Sequence, residues 1–163
     1  MKKADRIAVL EGGSSAEADV SRSSAAQITE ALKAHGYETK LIDIGQTQLT
    51  DHILAFKPDV IFPALHGPVG EDGTIQGFLE ILDIPYVGSN VRGSALAMDK
   101  SVSKKIFDSL AIPNAAGMLV DELPLSMNSL QQKIEEILGE KIVIKPVNQG
   151  SALGVEIVSD LSD

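Results

Sequence analysis

The feature that most constrains this chain is the alternation, over its first ninety or so residues, of short apolar runs with amphipathic stripes. Residues 6–10 (RIAVL) form an apolar run that stops at Gly12 and Gly13. Residues 20–34 follow, with Ala25, Ile28 and Leu32 on one stripe and Gly36 as the stop. That spacing predicts a helix. Strands are predicted at 39–44, at 59–62 after Pro58, and at 85–87. A helix is predicted where Ile75, Phe78, Leu79 and Leu82 fall at i, i+3, i+4 and i+7. Strands alternating with helices dictate an α/β fold, an open parallel sheet with helices on its faces.

The texture changes after about Ser101. Val102, Ile106 and Leu110 mark a helix with Lys104 and Lys105 on its wet side, ended by Pro113. Residues 117–120 read as a strand. Ser126 is placed to cap a helix carrying Leu130, Ile134, Ile137 and Leu138, with Leu125 and Leu130 spaced as a hydrophobic staple and Gly139 closing it. Residues 141–145 (KIVIK) and 154–158 (GVEIV) read as strands joined by PVNQGSAL. A boundary therefore falls between residues 98 and 115, giving domains at 1–100 and 101–163.

The 163 residues carry a net charge of −9. A general nucleic-acid or anionic-membrane surface needs a basic face and is not expected. There is no cysteine, hence no disulfide framework or thiolate chemistry. No apolar run approaches a membrane span, and the basic start is followed by too short a run for a signal-peptide core. The expectation is a soluble, cytoplasmic protein.

Four polar segments stand out. GGSSAEADVS (12–21) follows the first strand, at the edge where open parallel sheets bind ligands. It matches neither a dinucleotide fingerprint nor a P-loop. Glu17 there suits a cation such as an ammonium group; equally, Ser14 or Ser15 is a helix cap and Glu17 a first-turn residue. HGPVGEDGT (66–74) follows the third strand. His66 is placed to steady a carboxylate, or is an ordinary loop histidine. Asp72 is a candidate cap, and the adjacent acids Glu71 and Asp72 alone make a weak metal signal. MDKSVSKK (98–105) offers Lys100 to an anion, or is an Asp99-capped helix with a solvated basic face. In KIVIKPVNQGSALG (141–154), Lys145 ends an apolar strand, where an unpaired ammonium is costly and an anion would relieve it. Gly150, Ser151 and Gly154 make a loop whose amides suit phosphates, or a plain hairpin turn.

In this order, the four segments resemble the D-alanine:D-alanine ligase family of the ATP-grasp superfamily. HGPVGEDGTIQGFLEILDIPYVGS, continuing through SALAMDKSVSKK, is the long and specific part of the likeness; the lysine strand and its loop alone would indicate only ATP-grasp. The resemblance implies a Rossmann-like substrate-binding sheet (the pre-ATP-grasp domain) followed by the start of an ATP-grasp central domain. It implies that ATP phosphorylates one D-alanine and that a second D-alanine attacks the acyl phosphate, supplying peptidoglycan precursor. Glu17 would take the ammonium of the first D-alanine, with Ser151 joining its hydrogen-bonded network and His66 near the activated carboxylate. Lys100 and Lys145 would hold ATP phosphates, with Gly150, Ser151, Ala152 and Gly154 folding over them. Ala152 stands where the family often has a second serine, and Glu11 where an apolar residue is usual.

The likeness covers roughly the first half of such an enzyme. The magnesium ligands, the oxyanion-stabilising arginine and the residues choosing the second substrate are expected beyond these residues, and no metal ligand is assigned here. The chain is accordingly expected to be an N-terminal portion, inactive alone. D-lactate or D-serine as second substrate stays open, as do homodimerisation and a non-catalytic small-molecule-binding domain.

Overall fold

Seven elements alternate through the first part of the computed structural model, which describes residues 5–121 and 126–159. They are β1 (Arg6–Glu11), α1 (Ala18–Ala34), β2 (Glu38–Asp43), α2 (Leu49–Phe56), β3 (Val60–Pro63), α3 (Thr74–Ile81) and α4 (Val91–Met98). The three strands make one parallel sheet in the order β2-β1-β3. β1 takes the centre because it is apolar on both faces: Ile7, Ala8, Val9 and Leu10 are all buried. The twofold period of the strand sends Ala8 and Leu10 into a cluster with Ile53 and Phe56 of α2 and Ile75 and Leu79 of α3. Ile7 and Val9 enter a second cluster with Ala25 of α1, backed by Ile28 and Leu32. Each fully buried aliphatic side chain stabilises this arrangement by roughly 1.5–3 kcal/mol.

The fourth expected strand shrinks to one parallel bridge between Ile61 and Tyr86. Pro85 has no N–H to continue a ladder, and Gly88 turns away in the left-handed region at φ 123°. Two short helices, α2 and α4, are additions to the expected elements.

The chain divides between Met98 and Asp99 into two compact units. The second contains α5 (Lys100–Ser109), α6 (Met127–Leu138) and the antiparallel pair β4 (Ile142–Ile144) and β5 (Glu156–Val158). Asp99 caps α5, accepting the N–H groups of Ser101 and Val102. Those bonds, Val102's first, hold its carboxyl below the ordinary carboxylate value. Ser126 stands at the N-cap of α6 without a side-chain cap bond, and the partner expected for Leu130 in a staple, Leu125, lies outside the described residues. Gly139 closes α6 at φ 85°.

Residues 117–120 do not form the expected strand, since no described strand lies alongside to pair with them. Lys104, expected on a wet face, instead donates to Asn114 Oδ1 at 3.3 Å and to the Ala115 carbonyl. Its stem covers Gly117, where a Cβ would come within 2.8 Å of Lys104 Cε.

Candidate active site

Because β1 and β3 are neighbours and parallel, the loops leaving their carboxyl ends emerge at one edge of the sheet. Buried hydroxyls tie them together. Ser21, fully buried on α1, accepts the Gly12 N–H at 2.9 Å and donates to the Ala64 carbonyl at 2.6 Å. Ser15 Oγ donates to the His66 carbonyl at 3.1 Å and accepts the Glu17 N–H at 3.2 Å. Glu17 and His66, 49 positions apart, are thereby anchored to the same serine.

The Glu17 carboxylate is the unusual group here. The residue is 3% exposed, and its buried Oε2 has no hydrogen-bond partner among the described residues. Glu17 occupies the N-cap position of α1, yet its side chain makes no cap bond. Neither Ser14 nor Ser15 stands at the N-cap, and Ser15 instead holds the Glu17 amide. Gly67 lies against Glu17 so closely that a Cβ would strike Oε2, and its φ of 72° independently favours glycine. A buried carboxylate without donors is unfavourable by several kcal/mol unless a cation or donor meets it.

A cavity of about 360 Å³ opens at this edge, near the lower limit for small-molecule sites. It is lined by Gly12, Gly13, Ser14 and Ser15 after β1, by Ile44 and Gly45 after β2, and by Leu65, His66, Pro68, Val69 and Gly70 after β3. Glu17 is not among the lining residues. The His66 ring is half-buried, with Nε2 3.3 Å from Ser24 Oγ.

The acids of the second loop are occupied by that loop. Glu71 accepts the Gly67 N–H at 2.8 Å. Asp72 accepts the N–H of Val69 at 2.8 Å and, at the start of α3, that of Thr74 at 2.9 Å. Partial burial pushes the Asp72 carboxyl up, but these bonds outweigh it and hold the group below its ordinary value. Among the described residues no three His, Asp or Glu side chains gather as a metal site requires.

Ser21, Arg22, Ser24 and Asp43 belong to this edge and lack a role in the sequence reading. Asp43 closes β2 opposite Glu11 in register. Its Oδ1 accepts the N–H of Gly13 at 3.1 Å and of Gly45 at 2.7 Å, and its Oδ2 accepts two N–H groups of Arg22. Burial pushes its carboxyl up, but the amides of Gly45 and Gly13 and the guanidinium together hold it below the ordinary value. Burial, and then the Asp43 charge, push the Glu11 carboxyl the other way, upward.

In the second unit, the Lys100 ammonium donates to the carbonyls of Val147, at 3.2 Å, and of Gln149, so it pins the loop after β4. Lys145 follows β4 directly, but it is exposed and has no partner among the described residues. The expected burial cost at Lys145 is therefore absent, because water solvates its ammonium. Ser151 and Ala152 sit at positive φ, 47° and 60°, and Leu153 donates back to the Gly150 carbonyl at 2.9 Å. The amides of Ser151, Ala152 and Gly154 donate no hydrogen bond among the described residues. Gly154 packs on Pro146, where a Cβ would come within 2.8 Å, which draws the loop back toward the residue after Lys145. Ser151 thus sits in the second unit, and Glu17 and His66 in the first.

Residues 47–89 match the model of the D-ala D-ala ligase N-terminus family. The D-alanine–D-alanine ligase of Parvibaculum lavamentivorans is 46% identical over 158 residues, 97% of this chain and 49% of the relative. The crystal structure of the Bacillus anthracis D-alanine–D-alanine ligase superposes with a TM-score of 0.77 at 38% identity, covering 95% of this chain and 49% of that one. The same ligase in complex with ATP gives 0.76 at 36% identity, covering 95% and 50%. The chain spans about half the length of the curated relatives it matches. No helix among the described residues is long and apolar enough to cross a membrane. By sequence along nearly its whole length and by fold, the chain matches the N-terminal half of D-alanine–D-alanine ligases.

Proposed function

We propose that the protein carrying this chain joins two D-alanine molecules with hydrolysis of ATP, through an acyl phosphate formed on the first, and that this chain holds the first D-alanine and part of the ATP. The observation that carries the reading is Glu17: a buried carboxylate whose Oε2 has no donor among the described residues, beside a small cavity, suits one ammonium group. A free amino acid brings that ammonium together with a carboxylate, and His66 on the cavity wall is the group to steady the latter. Ammonium capture at Glu17 requires the Gly67 side of the loop to give way, because the carboxylate is closed off here.

The second unit has donors that fit a polyphosphate. Lys145 presents an exposed ammonium, and among the described residues the amides of Ser151, Ala152 and Gly154 in the loop that follows donate no hydrogen bond. Lys100 reaches phosphate only by releasing the carbonyls of Val147 and Gln149. Such donors orient the γ-phosphoryl and offset its charge, which is most of what phosphoryl transfer asks of a protein. Magnesium would add charge neutralisation when bound. The reading places the reaction in the cytoplasm, and homodimerisation through the first unit fits the exposure of Ile81 and Val87.

The test is phosphate release from ATP and magnesium by the protein carrying this chain. Release should require D-alanine and yield D-alanyl-D-alanine. Efficient incorporation of D-lactate or D-serine as the second partner would redirect the reading, and D-alanine-independent release would overturn it.

A further inference from the structure

Two carboxylates stand at the same edge of the sheet in opposite states. Among the described residues, Glu17 has no donor on its buried Oε2. Asp43 has four: the amides of Gly13 and Gly45 on Oδ1, and Nε and Nη2 of Arg22 on Oδ2 at 3.2 and 3.0 Å. A carboxylate already saturated by donors is poorly suited to receive a substrate cation. We infer that Asp43 is a positioning residue: it clamps the loop after β1 to the loop after β2, and so sets the shape of the cavity that receives the amino acid.

Both amides it holds belong to cavity-lining residues, Gly13 and Gly45. The two loops come this close to the carboxylate because Gly12 and Gly45 lack side chains. A Cβ on Gly12 would strike the Asp43 carboxylate, and one on Gly45 would lie 3.1 Å from Oδ1. Gly12 and Gly13 also adopt φ of 71° and 89°, which turns the chain toward β2. Arg22 completes the clamp from α1 and is itself held by Asp19 at 2.9 Å. Three elements, β1, β2 and α1, thus converge on one side chain. This accounts for the glycines of the first loop, which serve no phosphate fingerprint.

The inference rests on the D-alanine reading for its substrate but not for its geometry, and the test separates the two. Asp43→Asn keeps an oxygen for both amides and loses the ion pair. Arg22→Gln removes the ion pair from the other side. Asp43→Ala removes everything. Hydrogen exchange at the Gly13 and Gly45 amides should accelerate about tenfold or more in Asp43→Ala, and less in the other two, as loss of a charge-assisted hydrogen bond implies. The KM for D-alanine should rise in the same order, with kcat and the KM for ATP within about twofold. If Asp43→Ala does not fold, the ordering of Asp43→Asn and Arg22→Gln against the unsubstituted protein carries the test. Unchanged exchange overturns the clamp. Faster exchange with no change in the D-alanine KM, or with equal changes for both substrates, overturns the positioning role. If the unsubstituted protein does not use D-alanine, the functional reading fails, and exchange alone then supports or overturns the clamp.

Discussion

Leu79 of α3 and Ile157 of β5 are aliphatic residues of similar size, yet the first is fully buried and the second is 75% exposed. The contrast runs through the two units. The first closes its sheet between helices on both faces, with a cluster on each side of β1. In the second, neither α5 nor α6 buries a residue fully, and Val143 and Ile144 of β4 are 54% and 50% exposed. The two loops assigned to small ligands therefore sit on differently supported bases. The cavity edge is fixed by buried hydroxyls and a saturated carboxylate, whereas the loop at 147–155 is held by a lysine and short turns.

The largest effect expected from this contrast is at the first core. Leu79→Ala should destabilise the first unit by about 2–5 kcal/mol in chemical denaturation, because the cavity it leaves is walled by packed strands. A loss below about 1 kcal/mol would mean that this core is no better packed than the second unit.

A smaller effect is expected from acid. Asp43 and Asp72 have folded values below their ordinary 3.8, so the folded form binds fewer protons than the unfolded one. Their contribution is fully present above about pH 4 to 5, and it is lost as pH falls through the depressed folded values. Urea midpoints followed by probes in the first unit should fall between pH 5 and about pH 3, and Asp43→Asn should flatten part of that fall. Asp99 is depressed in the same direction, but it is only half-buried at the N-cap of α5 and partly screened by solvent, so the second unit should respond less. A larger acid response in the second unit would reverse the comparison. The smallest effect is Ile157→Ala, expected within about 0.5 kcal/mol for an exposed position.

Much of this contrast was legible in the sequence, for identifiable reasons. β1, α1 and α3 carry unmixed periods of two or of three to four, and they lie where the pattern places them. α2 escaped although Leu49, Ile53 and Phe56 fall at i, i+4 and i+7, because eight residues give only two turns of pattern. Residues 117–120 looked like a strand because apolar content does not reveal whether a pairing partner exists. Glu17 and His66 stand out in the sequence as candidates because glycines and polar residues surround them. Asp43, Arg22 and Ser21 do not, since their roles arise from partners up to 43 positions away. Lys145 ends an apolar strand, but a strand-end position does not by itself bury a side chain, and the structure exposes it.

The central claim is that the unpartnered carboxylate of Glu17 receives the ammonium of an amino acid. Its most direct test is Glu17→Gln in the protein carrying this chain, with KM for D-alanine and for ATP measured side by side. Loss of a charge-assisted contact predicts a rise of about tenfold or more in the D-alanine KM, with the ATP KM within about twofold. Equal losses for both substrates, or an unchanged D-alanine KM, would contradict it.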